Sequence, residues 1–533
     1  MHNVLDRKPV DTETSHRKLA ASIGRNTIFG VVARVVQVAT RLITIPVVIA
    51  HLGLGGYGIW SIVMTTAAYM RFGSIGVKSA FQKYVAEATG NGDFDRANKL
   101  LSTGSAIMLV LSLAGLVPIA FFSKGLARAS GVPPEFLTSS AYAISVLALI
   151  MVMSNFGAAY EAIVMGGHRI DLARKFTTFF TIAEAVAIVI LLHLGFGLFA
   201  MAIVMAASEL GFVLSCYIAS KRVVPEIRLS LRYVTKSVLH ELFRFAGSYQ
   251  LVNVLELLYL TILPVAILRQ FGADASGVYA LAQRLLSSAL MIPDAFLLPI
   301  LSGGTMVYAS GSSDGIRVLI TKAFKATLAL SLLPMGFIAI FGETVLYAWT
   351  GEMPATFKGA LWLVTLAAFF SAFSLLGLVL YRVSGRAVLD NIRQVIRIAI
   401  LLSIAVFARR LGFQGVLAGL AFSEMVGMVF MLVALSKTFP SFRPSSIIPD
   451  ALRLTVASGL ILSAGWVALH IPLPVSATGR LLASLEIAKV LAACLLATWP
   501  ALWLTRSVTA AESKALLHAF FPGKAQRAAG FAS

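Results

Sequence analysis

The sequence predicts an all-α polytopic membrane protein of about 14 transmembrane helices, two six-helix repeats followed by two further helices. Three observations predict it. Apolar runs close to the roughly 20 residues that cross a bilayer core of about 30 Å recur from end to end. The chain of 533 residues is 58% hydrophobic and only 13% charged, where a soluble domain carries about 25% charge. A set of landmarks also returns in the same order at an offset of about 218 residues, the mark of an internal duplication.

Taken in order, the chain opens on a polar segment of mixed charge, 1–24. It has no apolar core and no small-residue cleavage site, so it does not read as a signal peptide, and a disordered cytoplasmic tail is expected. The first repeat, 25–220, is expected to hold helices at 27–50, 56–75, 100–122, 140–163, 174–194 and 198–218. A cytoplasmic linker at 221–244 leads to the second repeat, 245–435, with helices at 245–268, 277–301, 323–342, 358–381, 390–408 and 413–435. Residues 436–505 add helices at 452–470 and 481–504 after a Pro/Ser-rich loop, and 506–533 form a second cytoplasmic tail.

The duplication rests on five correspondences. Leu52-Gly53 is echoed by Phe271-Gly272, and Gly58-Ile59-Trp60-Ser61 by Gly277-Val278-Tyr279-Ala280. Gly167-His168-Arg169 returns as Ser384-Gly385-Arg386, Leu194-Gly195 as Leu411-Gly412, and Ser208-Glu209 as Ser423-Glu424. Glycine recurs because tight outer turns need it. Six helices per repeat is an even number, so both halves enter the membrane in the same orientation, and a substrate site is expected between them near the midplane.

The net charge of +20 invites a nucleic-acid reading, which the distribution of the charges excludes. Of the Lys and Arg residues, Lys124, Arg128, Arg269, Lys358, Arg409, Arg410 and Arg480 fall on one side. Arg34, Arg41, Arg71, Arg284 and Lys489 fall within or at the edges of spans, and all the others collect on the opposite side. By the positive-inside rule that side is cytoplasmic and holds both termini. The basic excess then reflects topology, with anionic lipid head groups as partners. Cys216 and Cys494 lie inside expected helices and indicate neither a disulfide nor a metal site. There is no GxxxxGK[ST] loop, so transport would be driven by a gradient or a partner rather than by P-loop hydrolysis.

Candidate site residues begin on the first helix. Arg34, Gln37, Arg41 and Thr44 are spaced three, four and three apart and share one face. A central Arg facing lipid costs about 3 kcal/mol or more, so that face is expected to look into a cavity or the protein interior. At an offset of 219 the seventh helix places Asn253 where Arg34 sits and Glu256 where Gln37 sits, which makes Glu256 a candidate counter-ion in one access state. Gln283 and Arg284 on the eighth helix are further cavity candidates. Glu184, Glu256 and Asp294 are candidates for a coupling ion, because acids in apolar spans serve that purpose. Glu209 and Glu424 occupy equivalent places and are expected to share a structural role. Trp60, Trp349, Trp362, Trp499 and Trp503 are expected to form an interfacial belt.

Five stretches resemble a known family: LGLGGYGIWSIVM at 52–64, the Gly-rich and basic segment at 72–93, ASGVPPEF at 129–136, the linker stretch at 223–250 and FGADASGVYALAQRLL at 271–286. In this order, and with six, six and two helices, they resemble the polysaccharide exporters of the MOP superfamily, the Wzx-type flippases. The resemblance covers about residues 25–435. It implies a MATE-like fold and movement of an undecaprenyl-diphosphate-linked oligosaccharide unit across the bacterial inner membrane for surface polysaccharide such as O-antigen or exopolysaccharide. A polysaccharide polymerase and a chain-length regulator are candidate partners, and no enzyme activity, cofactor, catalytic residue or metal is expected. An ion-coupled drug or small-molecule antiporter of the same superfamily is the alternative, although the cationic stripe favours an anionic cargo. A membrane-embedded lipid-sugar polymerase or ligase fits less well, because the outer loops are short.

Overall fold

The computed structural model describes residues 12–68, 84–85, 87–88, 91–167, 169–386, 388–473 and 478–507. Eleven long helices are present among them: α1 (Thr12–Ala68), α2 (Phe94–Ala129), α3 (Pro134–Gly166), α4 (Ile170–His193), α5 (Leu198–Val223), α6 (Lys236–Ala309), α7 (Ser313–Thr350), α8 (Phe357–Val383), α9 (Val388–Thr438), α10 (Ile448–His470) and α11 (Gly479–Leu504). No strand occurs among the described residues. Each of the eleven contains a stretch long and apolar enough to span a membrane, so the protein is a multi-pass membrane protein.

Three of the helices are each two limbs joined by a glycine. α1 breaks at Gly53 (φ 71°, ψ 171°), α6 at Gly272 (φ 85°, ψ −177°) and α9 at Gly412 (φ 70°, ψ 170°). The left-handed φ is open to glycine at little steric cost. Counting limbs separately gives the expected 14 helical segments. Gly195, the counterpart of Gly412, is also left-handed (φ 84°) and closes the turn between α4 and α5. The turns of the duplication thus carry the same backbone solution in both copies.

The helices run longer than hydropathy indicates. α2 covers 94–129 rather than 100–122, capped by the Asp93 side chain accepting from the Arg96 N–H at 3.0 Å. α1 begins at Thr12, inside the segment read as a disordered tail. Arg17, Lys18, Leu19, Ala20 and Ala21 are good helix formers, and adding residues to an existing helix avoids the cost of nucleation. The linker expected at 221–244 is shorter, because α5 continues to Val223 and α6 starts at Lys236.

The chain forms two compact units, Met1–Ala280 and Leu281–Ser533. In the first, α3 packs along α2 and α5, and α4 packs on α1 and α5. Its core holds Leu100, Leu101 and Met108 of α2, Ala158, Ala159 and Ile163 of α3, and Val224 and Ile227 of the linker. The linker is laced to α2 by side chains of the helix. The Asn98 amide oxygen accepts from the Arg228 N–H at 2.7 Å, and the Ser102 and Thr103 hydroxyls accept from the N–H groups of Ser230 and Thr235, both at 3.1 Å. These bonds satisfy backbone donors that no helix or sheet would take.

Within the same unit main chain of the second limb of α1 comes directly against main chain at the start of the second limb of α6. A methyl group placed on Gly58 would lie 2.5 Å from the Ala273 carbonyl oxygen and 2.5 Å from the Gly277 nitrogen. One placed on Gly277 would lie 2.3 Å from the Leu54 carbonyl oxygen. The repeat offset of 219 relates Gly58 to Gly277 and Leu54 to Ala273, so the contact is reciprocal.

In the second unit α8 packs on α7 and α9 around Phe324, Phe373, Leu376, Tyr381 and Phe442. The rings of Phe373 and Phe442 stack against Phe324 at centroid distances of 5.9 and 5.7 Å. α10 and α11 pair with each other and with α7 through Phe341, Ile461, Val490 and Cys494. Arg480 of α11 donates to the Trp349 carbonyl at 2.6 Å and so serves the otherwise open end of α7. Cys216 and Cys494 are both buried free thiols. Trp362, Trp499 and Trp503 are exposed, as an interfacial belt requires, but Trp60 is buried and packs inside the first unit instead.

Candidate functional site

The first limb of α1 carries the cationic stripe. Gln37 and Thr44 are half-buried and Arg41 is exposed, while the Arg34 side chain lies outside the described residues. Arg41 is 12 residues before Gly53, roughly 18 Å along the helix axis, and therefore deep in the span. Lipid is excluded as the environment of a guanidinium at that depth, so it meets water or polar groups. Thr40 donates to the Val36 carbonyl at 3.0 Å, and Thr44 to the Thr40 carbonyl. Both hydroxyls donate within the helix itself.

The packing of α1 on α4, and of α4 on α5, brings this face to two acids. Glu184 of α4 lies within electrostatic range of Arg41 and of Glu209, and stands near Ser208 of α5. The Ser208 hydroxyl donates to the Phe180 carbonyl at 3.1 Å. Glu184 and Glu209 are half-buried. Three helices therefore assemble one cation and two carboxylates in an apolar setting. The planar fork of an arginine can hold a phosphate bidentately, and nearby carboxylates give it an alternative partner when no anion is bound.

The other expected residues are more scattered. Glu256 on the first limb of α6 is exposed and makes no ion pair with Arg41, and the side chain of Arg34, its other expected partner, lies outside the described residues. The Asn253 side chain lies outside the described residues. Gln283, Arg284 and Asp294 belong to the second unit, where the first two are half-buried and Asp294 is exposed. Ser287 and Ser288 donate to the Arg284 carbonyl at 2.9 and 3.2 Å, which again spends hydroxyls on the helix itself. Arg71 and most of the segment at 72–93 lie outside the described residues. No group of His, Cys, Asp and Glu able to hold a metal occurs among the described residues.

A second charged cluster went unrecognised in the sequence. At the start of α9, Arg393 donates to the Asp390 carboxylate through Nε at 2.9 Å and Nη2 at 2.7 Å. One turn on, Arg397 donates to the Gln394 amide oxygen at 2.9 Å and pairs with Glu424 on the second limb. All five residues are at most 5% exposed. Their charges look like cytoplasmic loop charges when counted for topology. The usable signal was the spacing 390, 393, 394, 397, the same one-face pattern that marks the first helix. Glu424, the counterpart of Glu209 in the second repeat, is thus one half of a buried ion pair.

A multidrug resistance MATE family transporter of the MOP superfamily in its inward-facing conformation superposes with a TM-score of 0.64 at 18% identity, over 75% of this chain and 95% of that one. The fold is that of the MOP superfamily. The lipid II flippase MurJ, in an inward closed conformation, superposes with a TM-score of 0.66 at 13% identity, over 89% of this chain and 97% of MurJ. A MOP transporter from Pyrococcus furiosus, described by a reversed polarity of its binding pocket and a suggested different function, gives 0.57 at 17% identity, over 78% and 96% of the two chains. The MatE family model matches residues 31–179, which run from the cationic limb of α1 into α4. The uncharacterized membrane protein EpsK of Bacillus subtilis (strain 168) is 23% identical over 343 residues, 62% of this chain. The match spans 66% of the length of EpsK, just under two thirds.

Proposed function

We propose that this MOP-fold chain is a flippase that carries an undecaprenyl-diphosphate-linked oligosaccharide unit across the bacterial inner membrane by alternating access. Both termini would then lie in the cytoplasm, and the flippase would work beside a polysaccharide polymerase and a chain-length regulator. The observation that carries the reading is Arg41, an exposed guanidinium deep in a membrane span with Glu184 as its electrostatic neighbour. A diphosphate leaving water needs fixed donors, and a permanently charged planar fork supplies them. Release matters as much as capture, and the carboxylate of Glu184 gives Arg41 somewhere to go once the cargo has left. Arg34, seven residues earlier on the same face and about 10 Å away along the axis, would act as a second station rather than a second jaw. Glu256 would serve as counter-ion in the opposite access state, and Gln37, Asn253, Gln283 and Arg284 would line the route. Glu184, Glu256 and Asp294 would be the groups through which an ion gradient couples. Support for a lipid-linked anion comes from the likeness to MurJ, a lipid II flippase.

The test is export of lipid-linked glycan in cells that depend on this gene. Arg41→Ala should lower export about tenfold or more while the protein still accumulates in the membrane, and Arg41→Lys should keep part of it. Full export by Arg34→Ala/Arg41→Ala at normal abundance would overturn the reading. An antiporter for cationic drugs would instead show drug efflux that these substitutions leave intact.

A further inference from the structure

At the ends of α3, α4 and α5 on the arginine- and lysine-rich side of the first unit lies a cleft of about 670 Å3 that the transport reading does not use. Its size is within the usual range of ligand pockets, about 300–1,000 Å3. Its polar wall is Arg169, Arg222 and Ser215, and its apolar wall is Leu172, Phe176 and Ile218. Arg169 donates through Nε to Asp171 at 3.2 Å, which fixes the guanidinium and leaves its terminal nitrogens for a ligand. Arg222 is exposed and has no ion-pair partner among the described residues. Arg174, Lys175 and Lys221 stand close by in sequence and are also exposed, so the surroundings are positive as well.

We propose that this cleft binds an anionic phospholipid with two phosphate groups, of the diphosphatidylglycerol type. The two guanidinia suit two phosphates, and the position at the end of the membrane spans puts them at head-group level. Phe176 and Ile218 continue the cleft along α4 and α5 into the span, where an acyl chain would lie. A soluble anion would gain nothing from that apolar wall. The second repeat serves as an internal contrast. Arg386 holds the place of Arg169, but its terminal Nη1 is turned to the Thr438 hydroxyl at 3.4 Å at the matching end of α9, whereas Arg169 uses Nε for its own chain and keeps both terminal nitrogens toward the cleft. This lipid site is independent of the cargo and stands or falls apart from the flippase reading.

The experiment is native mass spectrometry of the purified full-length protein in detergent, titrated with diphosphatidylglycerol, phosphatidylethanolamine or inorganic pyrophosphate. The expected result is a bound diphosphatidylglycerol on the parent protein, weakened about tenfold or more in Arg169→Ala/Arg222→Ala, because charge-assisted bonds are stronger than neutral ones. Arg222→Glu alone should weaken it comparably, and this variant leaves the Arg169–Asp171 pair in place. Arg386→Ala should leave the adduct as it is. Unchanged occupancy in both cleft variants, equal loss in Arg386→Ala, or equally tight binding of phosphatidylethanolamine or of pyrophosphate would each overturn the proposal.

Discussion

In the first unit the Ser208 hydroxyl donates to the carbonyl of Phe180, and Glu209 follows it. In the second, the Ser423 hydroxyl donates to the carbonyl of Arg397, and Glu424 follows it. The backbone joint is the same. At one copy the side chain crossing the joint is a phenyl ring, at the other a guanidinium. In both it lies against a glycine of the neighbouring helix, Gly211 beside the Phe180 ring and Gly427 beside the Arg397 stem. The consequence for the acids is large. Glu424 pairs with Arg397 and is 2% exposed, whereas Glu209 is half-buried and lies near Glu184. The lesson is that a repeat can keep its joint while the surroundings of the neighbouring acid change, from a buried ion pair in one copy to a half-buried place near Glu184 in the other.

The most damaging way to break this comparison is to orphan Glu424. Arg397→Leu should cost about 3–5 kcal/mol, because removing one member of a buried ion pair leaves the other charge uncompensated. The purified protein should show a markedly lower Tm and the cell a lower steady-state level. The double variant Arg397→Leu/Glu424→Leu should regain most of that loss, because an apolar pair of similar bulk avoids the desolvation of both charges. If the double variant is no better than the single one, the pair is not what holds the two limbs of α9.

A second arm tests the other copy. Glu209→Gln should cost less stability than Glu424→Gln, because Glu209 is half-buried and Glu424 is a fully buried member of an ion pair, while export changes through its effect on the Arg41 neighbourhood. Equal Tm losses for Glu209→Gln and Glu424→Gln would erase the distinction drawn between the repeats. Smaller effects are expected at the linker ladder. Asn98→Ala removes the acceptor of the Arg228 N–H and should lower stability by about 1 kcal/mol, with faster amide exchange confined to 226–235. Smallest should be the matched pair Ser208→Ala and Ser423→Ala. Each loses one hydroxyl bond to a carbonyl, for about 0.5–1.5 kcal/mol, and the two should agree because the joint is the shared part.

Much of the architecture was legible because it depends on local rules. Apolar length gives the spans. The glycines at 53, 195, 272 and 412 could be placed as turns before any coordinates, since few other residues take a left-handed φ at no cost. What hydropathy could not see was how far helices continue beyond the apolar stretch, as α1 and α2 do, because a polar residue added to an existing helix adds a hydrogen bond without adding hydrophobicity. The candidate site was half legible. Spacing alone put Gln37 and Arg41 on one face, but which acid stands near Arg41 depends on how α4 packs on α1, and that is a tertiary fact. Arg393 and Arg397 were hidden for the opposite reason. Near a basic turn, a buried arginine and a solvated one carry the same letter, and only the partners Asp390 and Glu424 separate them.

The glycine contact between Gly58 and Gly277 limits how far the two halves of this gene can drift apart. Elsewhere a change in one copy is free of the other, as Phe180 and Arg397 illustrate. Here the space that a methyl group would need on either residue is already filled by main-chain atoms of the other segment. Main chain cannot be mutated away, so no second-site substitution opposite can make room. Each glycine is therefore pinned by its own counterpart in the other repeat, and a side chain at either position would push the two segments apart.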